Sequence, residues 1–201
     1  MTKTVTFFLY FYIRNALKST LSEDQTANFR KSSDECDYLI IIDTNGTKLD
    51  TIHSGFCSSP SWSPDGQKIA FVYSTADFHY LGYNILSERR FVEISSISRD
   101  SLTTVGNLHW SPDGQWLYWS GSKPASSDTY RTNIINCTSE VFKKDCPSNR
   151  NGIAAISPDG DKILMGRVDL EVRQPLDTLY ATHYLVLTDM DGSKEQMISI
   201  K

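Results

Sequence analysis

A turn motif occurs three times in this chain and constrains the fold more than any other feature of the sequence. The tetrapeptide Ser-Pro-Asp-Gly appears at residues 63–66, 111–114 and 157–160, with the prolines 48 and then 46 residues apart. Proline presets the first central position of a β-turn, aspartate suits the second, and glycine accepts the left-handed conformation that ends the turn. Each copy therefore predicts a tight reversal between two extended segments.

The segments around each turn have the composition of β-strands. The runs that follow the three turns, residues 69–73, 116–119 and 163–165, are rich in β-branched and aromatic residues. A further pair of strand-like runs follows in each unit: residues 91–97 and 102–105, residues 130–135 and 141–142, and residues 184–188 and 196–200. Units of four strands that recur every 40 to 50 residues or so are typical of β-propeller blades.

The predicted fold is therefore all-β, a partial β-propeller of three complete four-stranded antiparallel blades plus part of a fourth, together forming one propeller-type domain. The complete blades are expected at residues 57–105, 106–150 and 151–201, and an incomplete N-terminal blade at residues 1–56. In that blade, residues 4–13, 37–43 and 48–54 are predicted to be the second, third and fourth strands. The missing first strand favours a fragment of a longer propeller, with an open arc and a ring completed by self-association as alternatives.

Charge and hydropathy exclude two classes of protein. The chain has 20 Lys and Arg against 24 Asp and Glu, a formal net charge of −4, which argues against a nucleic-acid partner. The longest apolar run, Val5–Ile13, is too short to span a bilayer. Residues 1–13 have a second interpretation as a secretory signal segment, because Lys3 precedes the apolar run.

The segment Trp62–Phe71 resembles the TolB-like β-propeller repeat, a WD-like repeat marked by Trp-Ser-Pro-Asp-Gly and a following strand. The copy that begins at Trp110 matches equally well, whereas the third copy has Ile156 in place of the tryptophan. The turn Asp191-Gly192 matches a later feature of the repeat. The resemblance implies a non-catalytic scaffold without a cofactor that binds a protein partner, as TolB associates with an outer-membrane lipoprotein in the cell envelope.

The motif residues themselves are expected to be structural, because turn formation and packing account for their types. They are Trp62, Ser63, Pro64, Asp65, Gly66, Trp110, Ser111, Pro112, Asp113, Gly114, Ser157, Pro158, Asp159 and Gly160.

The four cysteines suggest two short-range disulfides. If Asn45-Gly46 is a two-residue hairpin loop, Cys36 lies near Cys57, and Cys137 and Cys146 flank a second hairpin. Two such bridges would favour a periplasmic, cell-surface or secreted protein. Four unpaired cysteines in a cytoplasmic protein are the alternative. A zinc site is not expected, because the sequence has no Cys-x-x-Cys.

The search for catalytic motifs favours a protein that is not an enzyme. Gly-x-Ser-x-Gly is absent, and the histidines at positions 53, 79, 109 and 183 are scattered. The segment 189–192 lacks the later ligands of a calcium loop, so no metal site is predicted. An alternative function is the gating propeller of a prolyl oligopeptidase-type serine hydrolase whose catalytic domain is not in this sequence.

Long connections are predicted on one rim of the arc, at residues 14–35, 74–90, 121–129 and 168–182. Loops of this kind are where such scaffolds usually bind partners. The connection 74–90 is a candidate partner-binding loop, because it holds aromatic and basic residues typical of interface anchors. These are Phe78, His79, Tyr80, Tyr83, Arg89 and Arg90. The sequence does not identify the partner, and sugar binding is a third option with no specific residues behind it.

Overall fold

The computed structural model describes residues 8–10, 38–42, 48–123, 126–144, 149–173 and 178–198. These residues form β-strands, turns and irregular connections. None of the described segments is a helix long and apolar enough to cross a membrane. The chain divides into two compact units, residues 1–58 and residues 59–201.

The first unit contains a three-stranded antiparallel sheet in the order β1-β2-β3. Its strands are β1 (Phe8–Tyr10), β2 (Tyr38–Ile42) and β3 (Lys48–Ser54). Consecutive residues of β2, Leu39 and Ile40, are 2% and 5% exposed, so this strand is buried on both faces. All three strands lie within the segments predicted from the sequence. The expected Asn45-Gly46 turn and the connection 14–35 lie outside the described residues.

Three four-stranded antiparallel sheets follow, each with its strands in chain order, and the fold is a partial β-propeller. The first sheet consists of β4 (Cys57–Trp62), β5 (Lys68–Ser74), β6 (Phe78–Ile85) and β7 (Arg90–Ser98). The second consists of β8 (Thr104–Trp110), β9 (Trp116–Lys123), β10 (Ser126–Asn133) and β11 (Ser139–Lys143). The third consists of β12 (Asn149–Ile156), β13 (Lys162–Arg173), β14 (Thr178–Asp189) and β15 (Gln196–Ile198).

Each Ser-Pro-Asp-Gly turn joins the first two strands of a sheet through the same hydrogen bonds. In the second sheet, the Ser111 hydroxyl donates to Asp113 Oδ1 at 2.5 Å and accepts the backbone N–H of Trp116 at 2.9 Å. The carboxylate also accepts the backbone N–H of Gln115 at 3.0 Å. Gly114 closes the turn with a φ of 68°, the left-handed region that glycine adopts without strain. The other two copies repeat these bonds.

Apolar side chains fill the space between the first and second sheets. Val72 and Leu81 of the first sheet are fully buried, and Leu117 and Trp119 of the second sheet are 0% and 3% exposed in the same cluster. The ring of Tyr83 lies edge-on to the indole of a tryptophan in β8, with 5.9 Å between the ring centroids. Sheet-on-sheet packing of this kind is what a propeller blade needs on both faces.

The second and third sheets combine apolar packing with charged contacts. Tyr118 packs with Ile163 and Met165, which are 2%, 0% and 1% exposed. At the outer side, Glu195 forms ion pairs with Lys143 of β11 and with Arg167 of β13, the latter at 2.7 Å. One carboxylate thus links the two sheets.

The predicted long connections on one rim are wrong for the segments that the structure describes. Residues 78–85 form β6, so the connection 74–90 is mostly a strand that pairs with both β5 and β7. The expected connections 121–129 and 168–182 likewise lie mainly in strands. Residues 102–105 lead into β8 of the next sheet and are not the last strand of the first one. The sequence did not reveal this strand, because residues 78–85 mix polar and aromatic side chains; of the polar ones, His79 lies within hydrogen-bond distance of the hydroxyl of Ser74.

We expect Ser111→Ala to lower the free energy of unfolding by about 1–2 kcal/mol, because the partly buried backbone N–H of Trp116 and the Asp113 carboxylate both lose their hydrogen bond to the hydroxyl. Urea denaturation measures the change. Ser101→Ala, at an exposed position in the turn before β8, is the control and should leave the midpoint in place. Equal effects of the two substitutions would show that the hydroxyl network contributes nothing.

Gly82→Ala should destabilise the protein by about 2–3 kcal/mol or prevent folding, because overpacking a closed site forces the backbone to shift. A Cβ atom at Gly82 would lie 2.3 Å from the carbonyl oxygen of Val92, whereas at Gly166 the nearest atom lies 4.0 Å away. Gly166→Ala is therefore the matched control and should leave stability near its original value. Thermal and chemical unfolding of the two variants test the contrast, and a tolerant position 82 would contradict the β6–β7 register.

Candidate functional site

The first strands of the three sheets border a concave surface on the side of the Ser-Pro-Asp-Gly turns. This surface, the turn-side depression, encloses about 450 Å³. The three repeats contribute equivalent positions to it, one before and one within each turn: Trp62 and Pro64, Trp110 and Pro112, and Ile156 and Pro158. Two of the prolines, Pro64 and Pro158, are exposed. The depression therefore presents aromatic, aliphatic and proline surface that the repeat itself generates.

Hydrogen bonds between neighbouring sheets hold these first strands together. The backbone N–H of Asn107 donates to Ser59 Oγ at 2.8 Å, and the Asn107 side-chain amide donates to the carbonyl oxygen of Ile153 at 2.7 Å. The Trp110 indole N–H donates to the carbonyl oxygen of Ser61 at 3.0 Å. Asn107 and Ser59 have φ values of 56° and 53°, and the β8–β9 register shifts between residues 106 and 109. This irregularity turns Asn107 towards both neighbouring sheets.

Two of the turn aspartates beside the depression, Asp65 and Asp159, accept hydrogen bonds that favour their ionised form. The hydroxyl of Ser63 and then the backbone N–H of Gln67 lower the pKa of Asp65 below its ordinary value. Ser157 and the backbone N–H of Asp161 lower the pKa of Asp159 in the same way. A carboxylate held in its charged form by turn hydrogen bonds is a structural cap and a poor proton donor. The same role in each repeat argues against acid–base chemistry here.

His109 is the titratable ring in the wall of the depression. Burial lowers the pKa of His109, and a hydrogen bond to the backbone of Ile153 opposes this effect without cancelling it. Its Nε2 lies 3.2 Å from Asn107 Oδ1. Because the Asn107 amide nitrogen is already a donor to Ile153, Oδ1 is an acceptor and the His109 Nε2 carries the proton. His109 is thus a neutral donor that orients Asn107.

The six residues of the predicted partner-binding loop do not form one loop. Phe78 lies at the start of β6 and is 39% exposed, whereas His79 is 4% exposed. The His79 ring lies 2.8 Å from Ser74 Oγ and 3.2 Å from the carbonyl oxygen of Thr103, which ties β6 to the next sheet. Burial lowers the pKa of His79.

The remaining members of that set are spread along the same strand and its far end. Tyr80 stacks on Tyr73 with 4.6 Å between the ring centroids, and Tyr83 belongs to the interface between the first and second sheets. Arg89 and Arg90 are exposed at the opposite end of β6 from Phe78, and Arg90 forms an ion pair with Glu88. The aromatic residues pack the sheet, and no single surface collects the six side chains.

The structure tests one of the two predicted disulfides, Cys137–Cys146. The Cys137 thiol is free and exposed in the β10–β11 turn, so the expected Cys137–Cys146 bridge is not formed in this structure. The turn places Cys137 with a φ of 56° at its tip. Cys57 is buried, while Cys36 and Cys146 lie outside the described residues. The Cys36–Cys57 pairing stays a prediction.

A second concave surface lies between the second sheet and the beginning of the third, and Asn107, Ser122 and Ser127 of the second sheet line one side of it. This groove encloses about 680 Å³, and Gly152 and Gly166 form a directly opposed pair within it. Neither glycine would meet an atom closer than 3.8 Å with an added Cβ. The sequence did not reveal this groove, because two glycines reach the same place only through the β12–β13 register. In the described parts of the chain, no three His, Cys, Asp or Glu residues are grouped as metal ligands.

Stability should fall as the pH is lowered from about 8 to 5, because the unfolded chain binds protons near the ordinary histidine pKa while the folded chain does not. The folded pKa values of His79 and His109 are both lowered from 6.5, so their contribution is complete above that pH and is lost below it. Urea denaturation at several pH values measures the slope. The double variant His79→Gln, His109→Gln should flatten it, and His183→Gln, at an exposed position, should not. A steeper slope in the double variant would contradict this assignment.

Comparison with known proteins identifies the fold. No protein-family model and no curated protein matches the sequence. TolB from Acinetobacter baumannii superposes with a TM-score of 0.59 at 21% identity, over 83% of this chain and 38% of that one. TolB from Agrobacterium tumefaciens gives 0.60 at 16%, over 81% and 59%. The β-propeller domain of the Trilobed protease from Pyrococcus furiosus gives 0.57 at 17%, over 86% and 52%. The chain has a TolB-like β-propeller fold and spans less than two thirds of the length of each of these structures.

Proposed function

We propose that this chain is a non-catalytic propeller scaffold that binds a protein partner through the turn-side depression. The observation that carries the proposal is the repeat-built wall, in which equivalent positions of three repeats place tryptophan, isoleucine and proline around one concavity. Aromatic side chains in such positions dominate the energetics of many protein–protein interfaces. The turn-side depression is therefore suited to bind a protein segment with apolar side chains.

The wall of the depression is rigid, which favours binding. In each turn the carboxylate accepts a serine hydroxyl and a backbone N–H on Oδ1, and the indole N–H of Trp110 donates to the carbonyl oxygen of Ser61. Asn107 joins the first strands of all three sheets. A surface that is fixed before binding loses little conformational entropy when a partner arrives.

The likeness to TolB supports the same proposal. TolB structures superpose on more than four fifths of this chain. The resemblance of the repeat motifs to the TolB-like repeat implies protein–protein interaction. By the same reasoning we infer a location in the cell envelope or outside the cell. The Cys36–Cys57 pairing would agree with an oxidising compartment.

The double variant Pro64→Arg, Pro158→Arg tests the depression, because both side chains are exposed and come from different repeats. Two bulky cations on this concave surface should weaken partner binding by about tenfold or more. The measurement is chemical cross-linking in an envelope extract of the source organism with quantitative mass spectrometry, followed by calorimetry with the purified partner. Melting curves show whether the turns tolerate the arginines.

Ala76→Arg with Ser101→Arg is the matched control. It adds the same charge at exposed turns on the opposite edge of the sheets, after β5 and before β8. A partner of the depression is enriched by the wild type and by the control and is lost from the double variant. If every cross-linked protein responds equally to both pairs, the depression is not a binding site.

The alternative function is the gating propeller of a prolyl oligopeptidase-type serine hydrolase, and the superposition on the propeller domain of a protease favours it. In that case the gene from which this sequence comes encodes a Gly-x-Ser-x-Gly domain beside the propeller. Sequencing the complete gene separates the two functions. Further Ser-Pro-Asp-Gly repeats without such a domain support the scaffold.

A further inference from the structure

The contact between the second and third sheets is a modified copy of the contact between the first and second. Residues 48 positions apart in the first two repeats, and 46 apart in the second and third, occupy equivalent places because the three turns align. The strand register agrees, since Val72 is paired with Leu81 in the first sheet and Ser120 with Thr129 in the second. Each position of the first contact therefore has an equivalent in the second.

One pair of equivalent positions is apolar in the first contact and polar in the second. Val72 and Leu81 are both fully buried in the cluster between the first and second sheets. Ser120 and Thr129 lie at the same place on the face of the second sheet that carries Tyr118, which packs on the third sheet. Thr129 is 0% exposed. Ser120 Oγ and Thr129 Oγ1 are both buried, and neither forms a hydrogen bond within the parts of the chain that the structure describes.

Stability alone does not explain hydroxyl groups at this place. A buried hydroxyl without a partner destabilises the folded chain, and the first contact shows that an apolar pair fits the repeat. The next pair on the same face, Ser122 and Ser127, bonds hydroxyl to hydroxyl at 2.9 Å and lines the groove at Gly152 and Gly166. The four hydroxyl groups thus form one polar strip that begins inside the contact and ends in the groove.

The third sheet fills its contact with smaller side chains than the second sheet does. Leu108 is 5% exposed in the cluster between the first two sheets, whereas its equivalent Ala154 is exposed and lines the groove. Trp119, which stacks on Tyr130 with 4.4 Å between the ring centroids, has Met165 as its equivalent. The groove of about 680 Å³ lies where this side-chain volume is missing, and it has the size of a small-molecule site.

The wall that the third sheet contributes combines polar and apolar groups. Arg167 and Tyr184 are directly opposed on β13 and β14, and both line the groove. The Arg167 guanidinium is bonded to Glu195 at 2.7 Å, so its charge is compensated within the chain. The apolar residues that line the groove are Ile153, Ala154, Val168 and Leu185.

We propose that the groove at Gly152 and Gly166 binds a neutral sugar. The hydroxyl groups of a sugar both donate and accept hydrogen bonds, as do the hydroxyl groups of the polar strip. The C–H faces of a sugar ring pack on apolar and aromatic surface, which Tyr184 and the apolar lining residues supply. A charged ligand would compete with the ion pair of Arg167 and Glu195, which favours a neutral one.

The polar strip gives the bound sugar its hydrogen-bond partners. Ser122 and Ser127 lie in the wall and contact the sugar directly. Ser120 and Thr129 lie one step deeper on the same face, within reach of a sugar hydroxyl through a bridging water. Binding thus compensates part of the cost of the two buried hydroxyl groups.

Saturation-transfer NMR of the full chain with D-glucose, D-galactose, D-mannose and N-acetyl-D-glucosamine, each alone, tests the proposal. We expect at least one of them to bind with a dissociation constant of about 1 mM, because a ligand of this size gains little free energy in an open groove. The proposal is overturned if none of the four gives a signal that saturates in a titration.

The double variant Ser120→Ala, Thr129→Val removes the two buried hydroxyl groups with little change in side-chain volume. We expect the dissociation constant of the bound sugar to rise about tenfold, because a hydrogen-bonded network is lost. The melting temperature should stay the same or rise, since no described partner loses a hydrogen bond. A double variant that binds the sugar as tightly as the wild type does contradicts the proposal.

Tyr184→Leu is a second variant, in case the double variant does not fold, and should weaken binding of the same sugar through loss of the aromatic ring. Ser95→Ala with Ser96→Ala is the control, because it removes two hydroxyl groups from β7 of the first sheet, outside the groove. A control that weakens binding as strongly as the groove variants would also overturn the proposal. The depression variants should bind the sugar normally, which separates this test from that of the proposed function.

Discussion

The packing of one sheet on the next is the interaction on which the rest of this structure depends. No sheet of four short strands can bury its apolar residues alone, so the first sheet packs on the second and the second packs on the third. The fully buried Ala70 lies in the first of these contacts, and Tyr118 and Ile163 lie in the second.

The sequence predicted most of the fold because the turn motif is local chemistry. Proline, aspartate and glycine fix the reversal wherever they occur, and the two flanking strands follow directly. The third strand of the first sheet escaped prediction because His79 and Asn84 alternate with aromatic residues and resemble a loop. His79 is accommodated by Ser74 and by a carbonyl group of the next sheet, a long-range contact that no sequence window contains.

The candidate site was predictable only in part. Its tryptophans and prolines belong to the motif and are visible in the sequence. They lie around one depression only because the first strands of neighbouring sheets are aligned with each other. That alignment comes from Asn107, which bonds to Ser59 and Ile153, 48 and 46 residues away. The spacing is visible in the sequence, whereas the left-handed backbone of Ser59 and Asn107 is not. The groove at Gly152 and Gly166 likewise depends on register.

The contact between the first and second sheets differs chemically from the contact between the second and third sheets, because the third repeat has Ile156 in place of the tryptophan. Between the first and second sheets, the Trp110 indole donates a neutral hydrogen bond to Ser61. Isoleucine has no such donor, and on the outer side the third sheet is attached through Glu195, whose partners are Lys143 and Arg167. Dissolved salt weakens partly buried ion pairs of this kind only modestly and hardly affects a neutral hydrogen bond. The contact between the second and third sheets therefore has one component that responds to ionic strength, beside the neutral hydrogen bond from Asn107 to Ile153.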